Sequence, residues 1–318
     1  MIPLTLGEIA SLSGGAVAAG CDQGALVTGP AVADSRQVEP GSLFVAVAGA
    51  RVDGHDFAAG AVAAGAAAVL ASRPVDAPAV LVDDTVRGLG RLAHGYLRRL
   101  SADVVGVTGS SGKTSTKDLL AAVLGAAAPT IAPRGSFNTE IGVPLTVLRA
   151  DAATRFLVLE MSARGVGHIA YLCEIAPPRV GVVLNVGVAH LGEFGSREII
   201  ARAKGELVEA LPSADDGGVA VLNADDPLVH AMGARTRARV VTFGIDADAD
   251  VRAVDVRLDD AARPRFAISR AGGRGGRAEP VALRLHGAHQ VSNALAVAAV
   301  AFELGLGLEE VAASLSAA

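Results

Sequence analysis

The stretch GVTGSSGKTSTKDLL, residues 106–120, places a lysine and a threonine directly after a glycine-rich turn. The Walker A pattern G-x-x-x-x-G-K-[ST] asks for glycine at position 107, where this chain has Val107; its glycines stand at 106, 109 and 112. The strand-like run VVGV precedes the turn and a helix-like segment follows it, the setting in which such a turn binds phosphate. In that reading the amides of residues 109–114 wrap phosphate oxygens, with the positive end of a helix behind them. Lys113 then neutralises the β- and γ-phosphates and the Thr114 hydroxyl reaches Mg²⁺. A tight strand-to-helix turn that happens to hold a lysine is the plainer alternative, and the Gly-Lys-Thr triplet in this position weighs against it.

Four more groups could do chemistry. Glu160 closes the apolar run FLVLE, where a carboxylate needs a pair, hydrogen bonds or a cation. Capping of nearby amides would serve, but a phosphate loop on a neighbouring strand favours Mg²⁺ ligation. His190, in NVGVAHLGEFGS, follows a strand-like run and by itself reads as structural. Lys204 lies in SREIIARAKGELVEAL, which Ser196 is placed to cap and whose buried stripe is Ile200, Ala203, Leu207 and Leu211. It shares a face with Ile200, Val208 and Leu211, so it should be half-buried, and an ammonium there is costly unless it snorkels to water. Asn293 opens the last helix in HGAHQVSNALAVAA, placed either to meet an adenine edge or only to cap that helix.

The elements that must carry these groups follow from the apolar patterning. Residues 1–85 form one compositional unit: a short helix ending at Gly14, a strand at 41–49, a small-residue helix at 56–66, then the strands AAVLA and PAVLVDD. A helix with Leu89, Leu92, Tyr96, Leu97 and Leu100 on one face opens the second unit, residues 86–318. From 102 onward strands at 104–107, 156–161, 180–186, 219–224 and 238–244 alternate with helices at 114–127, 141–150, 196–211 and 292–304. That alternation predicts an α/β fold with a mostly parallel sheet flanked by helices, its strands apolar because both faces are covered. The candidate groups then gather after strand C-terminal ends, the edge where such sheets bind ligands. Residues 250–287 alternate like half-exposed antiparallel strands, a small antiparallel sheet whose tip is the Gly/Arg run at 271–279.

Composition narrows the classes. A chain of 318 residues, 51% hydrophobic and 19% charged, has enough apolar side chains for two domains. A net charge of −5 argues against a nucleic-acid partner. Cys21 and Cys173 match no metal or redox spacing, the N-terminus lacks a basic leader, and the apolar runs are too short to span a bilayer. A reduced, cytoplasmic protein without membrane insertion is expected, working as a monomer.

Taken together, these stretches resemble the Mur ligase family of ATP-dependent amide-forming enzymes. The family's loop T-G-x-x-G-K-T is matched by Thr108-Gly109-Ser110-Ser111-Gly112-Lys113-Thr114. DSRQVEPGSLFVAVAGARVDGHDF (34–57), FNTEIGVPLTVLRA (137–150), residues 159–196 and ARAKGELVEAL (201–211) are similar to the branch that joins D-alanyl-D-alanine to UDP-MurNAc-tripeptide through an acyl phosphate. The resemblance implies that Thr108–Ser115 and Asn293 bind ATP, with Lys113, His190 and Lys204 catalytic. Thr114, Glu160 and His190 would ligate Mg²⁺, joined by Lys204 as its CO₂ carbamate. Ser35, Arg36 and Asn138 are implied to bind substrate, with 1–85 the UDP-sugar domain and 86–318 the central ATP domain. Gln290 stands where the family has asparagine and Ser162 where glycine is common. The family's carboxy-terminal domain is missing from this chain, which is therefore expected to be a truncated form, inactive alone. The rival expectations are the sister ligase that adds the third stem-peptide residue and a Mur-like nucleotide-binding subunit that needs a partner.

Overall fold

The computed structural model describes residues 1–49, 51–187, 196–270 and 278–318, and it divides into two compact units. The first comprises Met1–Ala102 with Glu140–Thr154, the second Asp103–Thr139 with Arg155–Ala318. The expected boundary at 85 therefore moves. Helix Thr85–Leu97 belongs to the first unit, because its buried face, including Leu89, Leu92 and Tyr96, packs on helices Leu6–Ser13 and Gly142–Val147. Leu100, expected on that face, lies beyond the helix end.

In the first unit a five-stranded sheet runs Ala16–Val17, Ala79–Leu81, Ala68–Ala71, Leu43–Val45, Ala31–Val32. All neighbours are parallel except the antiparallel Ala16–Val17 edge. The run at 41–49, expected as one strand, forms the strand Leu43–Val45, and farther on Ala48 makes only an isolated antiparallel bridge with Asp53. Helix Leu6–Ser13 starts at a Thr5/Glu8 capping box and stops at Gly14, whose φ of 70° suits glycine.

The second unit is built on nine strands. Across the sheet they run Ala278–Ala282, Pro264–Arg270, Val251–Leu258, Arg239–Gly244, Val219–Asn223, Val180–Val183, Asp103–Thr108, Phe156–Glu160 and Thr130–Ile131. Neighbours are parallel from Val251–Leu258 to the Thr130–Ile131 edge and antiparallel beyond. The antiparallel strands expected near the end thus continue the large sheet, joined to it by Phe243–Gly244 pairing with Val251–Arg252. Of the Gly/Arg tip, 271–277 lies outside the described residues. Helix His289–Glu303 is buried from Gln290 to Phe302 apart from Ser292, as a nearly all-apolar helix must be, and packs against helix Lys113–Ala127.

Candidate active site

Parallel register fixes where the polar strand ends lie. Val183 pairs with Thr108 and with Leu222, while Glu160 pairs with Val107, so Thr108, Glu160 and Asn223 finish on one edge of the sheet. Between Thr108 and helix Lys113–Ala127 the chain turns through Gly109–Gly112. Gly109 cannot be replaced cheaply: a Cβ there would sit 2.9 Å from that of Leu184. Gly112 is the helix N-cap at φ 79°, and its missing Cβ leaves room for Asn293, whose Oδ1 would be 2.6 Å away. Asn293 does not cap its own helix. It is buried within it, and its Nδ2 donates to Gln290 Oε1 at 2.8 Å.

The Lys113 ammonium donates to the Gly109 carbonyl at 2.9 Å. Burial lowers its pKa, and the Glu160 carboxylate pulls the other way. Glu160 is 1% exposed, accepting from the Thr114 hydroxyl at 3.0 Å on one oxygen and from Asn138 Nδ2 at 2.7 Å on the other. Asn138 thus supports the carboxylate through its side chain, while its own carbonyl accepts from the Ser162 amide at 3.1 Å. Ser115 stands in the first turn of the helix, and the Thr108 hydroxyl is buried without a partner among the described residues.

The donor set suits a hard cation. Thr114 and Glu160 offer a hydroxyl and a carboxylate side by side, and among the described residues no cluster of three His, Cys, Asp or Glu competes with them. Mg²⁺ takes one or two protein oxygens and completes its shell with phosphate and water, which is what this pair allows. His190 lies outside the described residues.

Lys204 sits on helix Arg197–Glu209, whose start Ser196 caps by accepting from the Ile199 amide. It is deeper than its spacing suggested, with the residue only 7% exposed on the buried side of the helix. Burial first, and the Lys113 ammonium second, push its pKa down to about 8. The two ammonium groups are close enough to repel, and Lys113 also feels the buried Glu160 carboxylate, so the cluster carries a net positive charge that favours anions.

Ser35 and Arg36 belong to the first unit, in a short 3₁₀ turn capped by Asp34. Arg36 is exposed and paired with Asp34 at 2.7 Å, and this guanidinium holds the Asp34 carboxyl down at about 2. Sequence reasoning missed three residues. Asn185 holds the amides of Ser110 and Ser111, which were expected to wrap phosphate. Lys117 is buried, pairs with Asp118 and donates to the Pro133 carbonyl at 3.0 Å, tying the helix to the segment that carries Asn138. Glu206 accepts from the amides of Gly167 and Ala170. Only Asn185 carried a signal, as a polar residue directly after an apolar strand.

Comparison with known proteins agrees with this geometry. The Mur ligase middle domain matches residues 107–301 and the Mur ligase family catalytic domain matches residues 32–96. The chain is 51% identical to the UDP-N-acetylmuramoyl-tripeptide–D-alanyl-D-alanine ligase of Mycobacterium tuberculosis, an alignment covering 100% of the chain and 66% of that protein. It therefore spans just under two thirds of that relative's length. It superposes on MurF from Acinetobacter baumannii with a TM-score of 0.89 at 33% identity, covering 99% of the chain and 68% of that structure. With MurF from Thermotoga maritima in complex with ADP the TM-score is 0.79 at 35% identity, over 92% and 66%.

Proposed function

The chain belongs to the Mur ligase family, and we propose that it serves as an ATP-dependent ligase joining D-alanyl-D-alanine to UDP-MurNAc-tripeptide in peptidoglycan precursor synthesis. The observation that carries this reading is the Lys113–Thr114–Glu160 arrangement at the sheet edge, in a chain aligned end to end with ligases of that name. The terminal carboxylate of the tripeptide attacks the γ-phosphorus, the bond to ADP breaks, and an acyl phosphate forms. The amine of D-alanyl-D-alanine then attacks the acyl carbon, phosphate leaves, and the nitrogen gives up a proton.

The chain's own part is positioning and electrostatics. Lys113 offsets charge on the β- and γ-phosphates, and Asn293, lying against Gly112, contacts the adenine. Thr114 and Glu160, side by side, would hold Mg²⁺, and His190 would be a ligand of a second ion. When bound, the metal screens the repulsion between the anions that must meet. Lys204, with its pKa near 8, is partly neutral at physiological pH, so its nitrogen can add to CO₂, release a proton and become a carbamate. That change replaces a repelled cation with an oxygen anion suited to Mg²⁺. The first unit takes the UDP-sugar through Ser35 and Arg36, with Asn138 proposed at the substrate end of the loop. A cytoplasmic, monomeric enzyme completes the reading; no described helix is long and apolar enough to cross a membrane.

The test is product formation. Because the chain alone is expected to be inactive, the assay uses the full-length protein: UDP-MurNAc-tripeptide, D-alanyl-D-alanine and Mg-ATP should give UDP-MurNAc-pentapeptide by mass spectrometry, one ADP per amide, with none when any component is omitted. Extension of UDP-MurNAc-dipeptide by a free amino acid instead would overturn the reading in favour of the sister ligase.

A further inference from the structure

The phosphate loop is docked on the segment that follows strand Val180–Val183. Asn185 Oδ1 accepts from the amides of Ser110 at 3.1 Å and Ser111 at 2.9 Å, and from the Ser111 hydroxyl at 3.3 Å. Asn185 Nδ2 donates to the Ser111 carbonyl at 3.1 Å, and its main-chain oxygen also accepts from Ser110 N at 3.0 Å. The Gly187 amide donates to Ser110 Oγ at 2.9 Å. This segment is itself anchored: Asn223 Nδ2 donates to the Leu184 carbonyl at 2.9 Å, and Asp226 Oδ2 accepts from the Val186 amide at 2.7 Å. A carboxamide suits the position because one planar group supplies both the acceptor and the donor that the loop backbone needs.

The loop amides are thereby divided. Those of Ser110 and Ser111 are engaged, whereas those of Gly112, Lys113 and Thr114 have no acceptor among the described residues and open the helix as free donors. We infer that Asn185 is the positioning residue of the phosphate loop. It fixes Ser110 and Ser111 so that the amides of Gly112–Thr114 converge on one phosphate before nucleotide arrives, and it makes no contact with the nucleotide itself. Without it, nucleotide binding must order the loop, and affinity falls by that cost. The inference rests on the nucleotide reading above.

The experiment is calorimetric titration of the 318-residue chain with ADP, ATP analogue and AMP in the presence of Mg²⁺. Asn185→Ala should bind ADP roughly tenfold to a hundredfold more weakly, the range found when a supporting hydrogen-bond partner is removed. Asn185→Asp keeps the acceptor for both amides but sets an anion under the loop. Its loss should therefore grow from AMP to ADP to ATP analogue and shrink with added salt, which a merely structural residue would not produce. Should Asn185→Ala fail to fold, the charge series of Asn185→Asp decides by itself. Unchanged ADP affinity in Asn185→Ala, or a flat series in Asn185→Asp, overturns the inference and leaves the nucleotide reading standing. Tighter binding by Asn185→Ala also overturns it, since Asn185 would then compete with phosphate for the same amides. A wild-type chain that binds none of the three nucleotides overturns the nucleotide reading, and this inference with it.

Discussion

Lys204 has a pKa near 8 against 10.5 for a free lysine side chain, and its burial has a sign that can be measured. Below pH 8 folded and unfolded chains both carry the proton, and the folded one bears the full cost of burying it, on the order of 3 kcal/mol. Between pH 8 and 10.5 the unfolded chain still binds the proton while the folded chain does not, so stability rises with pH across that window. Lys204→Met keeps most of the volume and removes the charge. It should raise the unfolding free energy at pH 7 by up to about 3 kcal/mol and flatten the rise above pH 8, read by urea unfolding. Equal stability of the two proteins at pH 7 would show the ammonium to be compensated in the fold. For ligation the direction reverses. In the full-length protein Lys204→Ala should lose most activity and recover part of it with acetate or formate, which can occupy the vacated anion position. Lys204→Arg should not recover, because its guanidinium stays charged and fills the space. Undiminished ligation by Lys204→Ala without added carboxylate would sink the carbamate proposal.

Helix Arg197–Glu209 shows how one element serves several neighbours through consecutive residues. After Lys204 comes Gly205, where a Cβ would lie 2.0 Å from the Arg235 guanidinium that bonds the carbonyls of Ala201 and Arg202. Glu206 follows, accepting from the amides of Gly167 at 2.5 Å and Ala170 at 3.0 Å. Helix His168–Ile175 starts at Gly167, which has no side chain to cap it, so Glu206 supplies the cap from another helix. Glu206→Ala should cost about 1–2 kcal/mol of stability and Glu206→Gln less, since an amide oxygen still accepts. Identical urea midpoints for Glu206→Ala and wild type would dismiss the capping role. Such a cap is hard to see in sequence, because its partners are backbone amides 36 and 39 residues away. Asn185 is similar, since the loop it holds lies 74 and 75 residues back. What could be read was local: the Gly-Lys-Thr turn, the Ser196 cap, and strands that are apolar because both their faces are covered. Lys117 gave no signal at all, since a lysine next to Asp118 has the pattern of a solvated face although its side chain is buried.

At the scale of the molecule, sequence order and physical unit part company. Residues 140–154 are flanked on both sides by the second unit yet belong to the first. Composition could not reveal this, because the segment's apolar residues look alike whichever unit buries them. Its helix, Gly142–Val147, is six residues long and buried throughout, too short to persist without tertiary support. That support comes from helix Thr85–Leu97 and from Tyr96, which is 0% exposed. The Tyr96 hydroxyl accepts from the Ile2 amide and donates to the Ala150 carbonyl, each at 2.6 Å, pinning three distant stretches of the first unit together. A fragment ending at residue 85 lacks this pin, so it is the wrong piece on which to test uridine-nucleotide binding. Native-state hydrogen exchange in low urea should show the amides of 145–150 opening together with those of 89–97, and separately from strands 103–108 and 156–160. Tyr96→Phe leaves the Ile2 amide and the Ala150 carbonyl without their partner, at a cost of about 1–3 kcal/mol. Exchange at 145–150 should then quicken while 103–108 stays slow. If Tyr96→Phe loosens both sets equally, or if 145–150 opens in step with 156–160, the segment is energetically part of the second unit and the division fails.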